Sequence, residues 1–261
     1  MVDTPSSRPI IELRQYTLHP GQRDVLIDLF EKEFIETQEV LGMQVIGTFR
    51  DLDRPDRFVW IRSFRDMGAR AEGLNAFYTG PVWQKHRNAA NATMIDSDNV
   101  LLLHSAHADS GFPFSERTRP PKGATAIPDA LVIATIYSFD GEVGAEFVEF
   151  FDNVVKPELR ATGATVCAEY LTEASPNNFP RLPVREKDRV FVWFSAFANR
   201  AEYEQHLAKR ARSAKWRTIA AEVERRMNGP TEVLRLQPTA RSAFPADFAR
   251  AVERWQERTK K

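Results

Sequence analysis

Side chains that could do chemistry are concentrated in the first half of the chain. Glu12, Arg14 and Arg62 lie in short segments rich in β-branched and aromatic residues, and His86 and His104 follow them. Two guanidinium groups can grip a planar carboxylate through parallel hydrogen bonds. A histidine titrates near neutral pH and can accept a proton from a substrate. These residue types predict a ligand-binding site for an anionic group, with His86 as the catalytic residue that transfers protons.

Aromatic side chains accompany these polar ones. Tyr16 and Trp60 each stand two positions from one of the arginines, so strand alternation places each pair on one face of a strand. The stretch "YTGPVWQKHRN" adds Tyr78 and Trp83 just before the histidine. Aromatic rings offer a flat apolar surface, and Tyr and Trp add one polar atom. We therefore predict that these four rings line a pocket for a small aromatic or carboxylate-bearing molecule.

A structural role is the alternative for the same charged residues. Charged groups on strands are seldom buried without partners. Glu12 could therefore pair with Arg14 and Arg62 in a network that bridges two sheets. The residues by themselves leave both interpretations open.

The chain contains two copies of one unit. "RFVWIRSF" at 57–64 returns as "VFVWFSAF" at 190–197, a displacement of 133 positions. Nearer the start of each copy the displacement is 121, as between Tyr16 and Tyr137. The second copy therefore holds 12 additional residues, within the Pro- and Asn-rich stretch 171–188, which predicts a long hairpin loop.

One copy serves as a control for the other. Tyr16, Trp60 and Trp83 recur as aromatic residues, which is expected of side chains that pack in both units. The polar candidates and Tyr78 do not recur. Glu12, Arg14, Arg62, Tyr78, His86 and His104 correspond in turn to Ile133, Thr135, Ser195, Ala211, Ile219 and Gln237. This difference predicts that the pocket belongs to the first unit.

The elements that must position these residues have one order in both copies. Each copy contains a β-rich run, an amphipathic helical stretch, two further strands, a longer helical region and a closing strand. We predict an α+β fold in which two tandem ferredoxin-like βαββαβ units form an intramolecular pseudo-dimeric α/β barrel. The expected boundaries are 8–106 for the first unit, 107–129 for a linker, 130–237 for the second unit and 238–261 for a C-terminal helical tail.

Bulk composition narrows the function classes. The chain has 36 basic and 36 acidic residues, which argues against a general nucleic-acid or membrane-surface binder. No apolar run reaches the roughly 18 residues that span a bilayer, and the first residues lack the apolar core of a secretory signal. We expect a cytoplasmic protein with a small-molecule partner, open to homo-oligomerisation. The single Cys167 permits neither an intrachain disulfide nor a Cys-based metal cluster, and no metal is predicted.

Two segments of the first unit resemble a known family. "IELRQYTLHPGQRDVLIDLFEKE" and "RFVWIRSFRDMGARAEGLNAFYTGPVWQKH" resemble NIPSNAP domains, and the resemblance covers about 95 residues. It implies the dimeric α/β-barrel superfamily, which includes antibiotic-biosynthesis monooxygenases, haem-degrading enzymes and chlorite dismutases. Two functions follow from it. One is an oxidative, monooxygenase-like enzyme that works without a cofactor, with haem as the alternative cofactor, and the other is a non-catalytic binding or scaffold protein.

Overall fold

The computed structural model describes residues 9–112 and 119–244. The first and last strands of the first unit pair with each other. Its elements are β1 (Ile10–Leu18), α1 (Arg23–Leu29), a π-helical segment (Phe30–Phe34), α2 (Ile35–Glu39), β2 (Gln44–Asp51), β3 (Arg57–Phe64), α3 (Met67–Thr79), α4 (Pro81–Asn91), β4 (Met94–Asp96) and β5 (Val100–Ser105).

The second unit repeats this order. Its elements are β6 (Leu131–Phe139), α5 (Ala145–Phe150), a π-helical segment (Phe151–Val155), α6 (Lys156–Thr162), β7 (Thr165–Thr172), β8 (Arg189–Phe197), α7 (Arg200–Arg212), α8 (Ala214–Arg226) and β9 (Glu232–Pro238). The repeat extends to backbone detail, because Gly42 and Gly163 follow corresponding helices with positive φ angles of 82° and 109°. Glycine adopts such angles without a steric cost, so it is suited to end a helix.

Eight antiparallel strands close into one barrel. They run in the order β3-β2-β9-β6-β8-β7-β5-β1, and β1 pairs again with β3. The units join where β2 pairs with β9 and where β5 pairs with β7. Each sheet edge of one unit is thereby covered by the other unit. The predicted pseudo-dimeric α/β barrel is confirmed.

The interior of the barrel is filled by apolar side chains. Alternate strand residues such as Ile11 and Leu13 point inward. The segment that follows the closing strand of each unit then turns in and contributes one ring, Phe112 from the first unit and Phe244 from the second. These two rings lie 5.5 Å apart, edge to face. The space that could hold a ligand therefore lies on the outer faces of the sheets, beneath the helices.

Helices cover each outer face and form a second core with it. In both units a π-helical segment places a phenylalanine over the central tryptophan. Phe30 lies 4.7 Å from Trp60, and Phe151 lies 5.7 Å from Trp193, between ring centroids. π-Helical turns often occur at functional sites. The shared packing agrees with the expectation that the recurring aromatic residues are structural.

The inserted stretch of the second unit crosses to the first. It joins β7 to β8 as a long loop, as predicted, and the backbone nitrogen of Arg185 donates to the carbonyl oxygen of Val100 at 2.9 Å. Phe179 of this loop is buried in the helix-side core of the first unit. The second unit thus completes the covering of the first.

Two expectations concern the rest of the chain. The predicted C-terminal helical tail lies outside the described residues from position 245 onward. Within the described ranges, no helix is both long and apolar enough to cross a membrane.

Removal of the ring of Phe244 should reveal the dependence of the fold on the filled barrel. We expect Phe244→Ala to lower the free energy of unfolding by about 3–5 kcal/mol, because it leaves a cavity in a closed core. The double variant Phe112→Ala/Phe244→Ala should cost less than the sum of the two single changes, since the rings touch each other. Denaturant unfolding followed by circular dichroism measures both values.

Val40→Ala is the matched control, because Val40 is 81% exposed and should tolerate the change. Equal stability losses for Phe244→Ala and Val40→Ala would contradict the packing described for the barrel.

Candidate functional site

The charged residues predicted in the first unit meet on the outer face of its sheet. The β1–β3 register sets Glu12 opposite Arg62. Oε2 of Glu12 accepts hydrogen bonds from Nη1 of Arg14 at 2.7 Å and from Nε of Arg62 at 2.8 Å. All three side chains are at most 1% exposed. The sequence left open whether these three residues meet, and the β1–β3 register brings them together.

A third arginine, which the sequence analysis missed, completes the cluster. Arg70 reaches in from α3 and donates from Nε to Oε1 of Glu12 at 2.8 Å. We call Glu12, Arg14, Arg62 and Arg70 the arginine cluster. Comparison of the two copies could have identified Arg70 as an unshared polar residue, because its counterpart in the second unit is Tyr203.

The cluster joins sheet to helices within one unit. Besides Glu12, Arg62 binds Oε1 of Gln38 on α2 at 3.0 Å. Arg14 donates from Nε to the hydroxyl of Tyr16 at 2.9 Å. The expectation that these charges bridge the two sheets is wrong, because they lie on the helix side and the barrel side is apolar.

The arginine cluster has an excess of positive charge, which acts on its carboxylate. Burial alone would raise the pKa of Glu12, but Arg62, Arg14 and Arg70 lower it far below its ordinary value of about 4.3. Glu12 is the carboxylate within ion-pair distance of these arginines among the described residues. Three guanidinium groups against one carboxylate leave the cluster with two excess positive charges.

The two predicted histidines lie apart from the cluster. Nε2 of His86 on α4 lies 3.8 Å from Oε2 of Glu33, and its ring packs beside Phe34. Nδ1 of His104 on β5 lies 3.5 Å from Oε2 of Glu173. His104 lines a separate cavity of about 200 Å³ at the junction of the units, and the arginines are not among the residues that line it.

The predicted aromatic residues pack mainly against one another. Tyr16 and Trp60 meet edge to face at 6.0 Å, and Tyr78 meets Trp83 at 4.8 Å. Tyr78 also stacks on Phe179 of the inserted loop at 5.8 Å. These rings form the apolar surroundings of the arginine cluster.

A partly open cavity of about 260 Å³ lies at the corresponding place in the second unit. It separates the outer face of the second sheet from α7 and α8. Ile133, Thr135 and Ser195 line it where Glu12, Arg14 and Arg62 stand in the first unit. The shorter side chains leave unfilled the space that the arginines occupy. Further lining residues are Tyr137, Trp193, Tyr203, His206, Leu207, Arg210, Trp216, Ala220, Val223, Glu224, Thr231 and Val233.

The entrance of this cavity lacks the cover that the first unit has. Val233 on β9 and Leu207 on α7 are 42% and 37% exposed at its rim. Val100, the counterpart of Val233, is fully buried beneath the inserted loop. The first unit contributes no insertion of its own, because only the short stretch 52–56 joins β2 to β3.

Arg210 supplies the cavity with a positive charge. Its guanidinium lies 4.1 Å from the ring centroid of Trp216. Among the described residues no carboxylate lies within ion-pair distance of it, and its buried Nε has no hydrogen-bond partner. Burial lowers the pKa of Arg210, while Tyr137 and Tyr203 oppose the shift. An arginine still stays protonated at neutral pH, so the cavity holds an unpaired cation.

His206 lines the same cavity as a neutral base. Burial and the charge of Arg210 lower its pKa to about 4, against the opposing effect of a hydrogen bond to the backbone of Thr162. Nδ1 is buried without a hydrogen-bond partner, which assigns the Thr162 contact to the other ring nitrogen. Nδ1 is then the unprotonated nitrogen at neutral pH, and the charge of Arg210 disfavours its protonation.

His206 and Arg210 are polar residues that the second copy has and the first copy lacks. His206 and Arg210 correspond to Gly73 and Phe77, so each occurs in one copy only. The site residues predicted from the sequence all belong to the first copy, and His206 was expected to be an ordinary residue of a polar helix. The helix "RAEYEQHLAKRAR" has charged residues along its whole length, so its sequence does not indicate which polar side chains face the sheet.

Residues 11–107 match the NIPSNAP family model. The predicted resemblance is thereby confirmed, and the NIPSNAP domain coincides with the unit that holds the arginine cluster. No curated protein matches the sequence.

Solved structures share the tandem architecture at low sequence identity. A proposed monooxygenase from Fusobacterium nucleatum is 12% identical, over 89% of this chain and 93% of that one, with a TM-score of 0.54. A proposed monooxygenase from Lactobacillus acidophilus is 18% identical, over 89% and 94%, with a TM-score of 0.51. An anthrone oxidase-like protein is 12% identical, over 90% and 94%, with a TM-score of 0.53. Similarity at this level establishes the fold alone.

Loss of the charge of Glu12 should destabilise the NIPSNAP domain. We expect Glu12→Gln to lower the free energy of unfolding by about 3–5 kcal/mol, because it leaves three buried arginines without a counterion. Since the folded-state pKa of Glu12 is depressed, its contribution is present above the unfolded pKa near 4.3 and is lost as the pH falls. The stability difference between wild type and variant should therefore shrink between about pH 5 and pH 3.

Chemical denaturation at a series of pH values measures this difference. Glu204→Gln, at an exposed helix position, is the control and should change stability little. A stability difference for Glu12→Gln that stays constant on acidification would show that the ion pairs do not carry it.

Proposed function

We propose that this protein binds a small aromatic molecule with an anionic group, and that the ligand occupies the cavity of the second unit. The observation that carries the proposal is the unpaired Arg210 in a cavity lined by aromatic rings. A carboxylate or phenolate would neutralise this cation and form charge-assisted hydrogen bonds with it. The aromatic part would lie against Tyr137, Trp193 and Trp216.

Cavity size limits the ligand. Sites for drug-sized ligands occupy roughly 300–1,000 Å³. The cavity of about 260 Å³ lies just below that range, so a compound with one or two fused rings suits it. The hydroxyl groups of Thr135 and Ser195 supply further polar contacts along the sheet.

The first unit is the weaker candidate for the same ligand. Glu12 already occupies the place between Arg14, Arg62 and Arg70 where the carboxylate of a ligand would bind. A clamp filled by a side chain of its own protein does not bind a second carboxylate at that position. The ligand-binding roles expected for the first unit stay predictions, and we favour the second unit.

Oxidative chemistry is the second candidate function. His206, a neutral imidazole, and Arg210, a fixed cation, line one cavity. A phenol that binds there as its phenolate would have its oxygen stabilised by Arg210. Proteins of the same fold that are proposed monooxygenases or anthrone oxidase-like agree with this chemistry.

A haem group does not fit this cavity. His206 is the histidine among the lining residues, and it is 2% exposed and hydrogen-bonded to the backbone of Thr162. The volume of about 260 Å³ suits one or two rings and not a tetrapyrrole. Haem therefore has no part in the chemistry proposed for this cavity.

Titration with salicylate, a fluorescent aromatic anion, tests the binding proposal, and neutral salicylamide is the matched probe. We expect Arg210→Met to weaken salicylate binding by about 10- to 100-fold, because a hydrogen bond to a charged group contributes about 1.5–3 kcal/mol. Salicylamide binding should change much less. Ser195→Phe should abolish the binding of both probes, since it fills the cavity from the sheet.

Two controls locate the site. Arg200→Met removes an exposed charge at the start of the same helix and should leave binding unchanged. Arg62→Met removes a cation of the first unit. Salicylate binding that is lost in Arg62→Met and retained in Arg210→Met would refute the second-unit site.

A further inference from the structure

We propose that the arginine cluster of the NIPSNAP domain is a binding site for a compact dianion, and that the inserted loop of the second unit occupies it. The ligand class is an oxyanion of the size of inorganic phosphate. This site is separate from the aromatic cavity of the second unit, which lacks such a cover.

Charge is the first argument for this site. The cluster carries two excess positive charges, and Arg14, Arg62 and Arg70 are at most 1% exposed. Cations that are withdrawn from water without equal counter-charge destabilise the fold, since their desolvation is not offset. A ligand with two negative charges would complete the neutralisation that Glu12 leaves unfinished.

The contacts of the loop are the second argument. Nη1 of Arg70 donates to Oδ1 of Asn178 at 2.7 Å and to Oδ1 of Asn177 at 3.0 Å. Two neutral amide oxygens thus stand side by side where two oxygens of an anion would bind the guanidinium. Hydrogen bonds from a guanidinium to a charged oxyanion are about twice as strong as those to a neutral acceptor. An anion can therefore compete with the loop for Arg70.

An unused donor lies in the same core. Nε1 of Trp60 is buried and has no hydrogen-bond partner. The indole ring also lies against two members of the cluster, with the Arg62 and Arg14 guanidinium carbons 5.0 and 5.5 Å from its centroid. A buried donor without a partner costs free energy, and this donor belongs to the ring that the two guanidinium groups cover.

The loop forms a thin cover that local contacts hold in place. Nδ2 of Asn178 donates to the carbonyl oxygen of Met67 at 2.6 Å, and Phe179 stacks on Tyr78. Asn178 itself is exposed on its outer side, so one layer of chain separates Arg70 from solvent. Displacement of Asn177 and Asn178 would open a path to the cluster without disturbance of the barrel.

Inorganic phosphate at pH 8, where the dianion predominates, is the probe, and calorimetry on the full chain measures its binding. Two changes at one position make the test specific. We expect Asn178→Ala to bind phosphate several-fold more tightly than wild type, because the competing amide oxygen is gone. We expect Asn178→Asp to bind it at least about 10-fold more weakly than wild type, because the new carboxylate neutralises the cluster in its place.

Both substitutions remove the same amide, so a purely structural role for Asn178 predicts one change for both. Equal phosphate binding by the Ala and Asp variants would overturn the proposal. Chloride at matched ionic strength is the control for general screening and should not reproduce the phosphate effect.

Two further variants place the anion. Arg70→Met added to Asn178→Ala should abolish phosphate binding, and retained binding would overturn the proposal. Arg70→Lys in the same background keeps a charge and should retain part of the affinity, which guards against a loss caused by misfolding. Arg200→Met, which removes an exposed charge outside both sites, should leave phosphate binding unchanged. Loss of salicylate binding in Arg210→Met and loss of phosphate binding in Arg70→Met are separate readouts, so failure of this site is distinguishable from failure of the aromatic cavity.

Discussion

Closure of eight strands into one barrel is the constraint on which the rest of this structure depends. Pairing of β2 with β9 and of β5 with β7 uses the free edges of both sheets. The interior is then sealed by apolar residues and by the contacting rings of Phe112 and Phe244. A sealed interior leaves the space between sheet and helices as the place where each unit can bind a ligand.

The two units use that space in opposite ways. In the first, the arginine cluster fills it and the inserted loop covers it. In the second, Ile133, Thr135 and Ser195 leave it open, and Arg210 enters from the helix instead of the sheet. The aromatic residues that recur in both units hold the backbone in the same form. Duplication therefore kept one scaffold and allowed the polar residues on it to differ.

Strand residues of the site could be predicted, and helix and loop residues could not. Alternation along β1 sets Glu12 and Arg14 on one face, and the β1–β3 register of the structure then brings Arg62 to the same face. Arg70 and Arg210 lie on helices, where the direction of one side chain depends on how the helix rotates against the sheet. Asn177 and Asn178 reach the first unit from a loop more than 100 positions away, and no local pattern encodes that contact.

By itself the sequence determined the duplication, the order of elements and the closed barrel, because two fixed displacements relate the same aromatic residues. It also determined that the polar residues differ between the copies. Tertiary structure alone decided which difference makes a cavity. Large charged side chains in the first unit contact one another and fill their space, whereas small ones in the second unit leave room beside Arg210. The volume of a cavity and the charge balance within it depend on how side chains pack in the folded protein, and the sequence alone does not specify them.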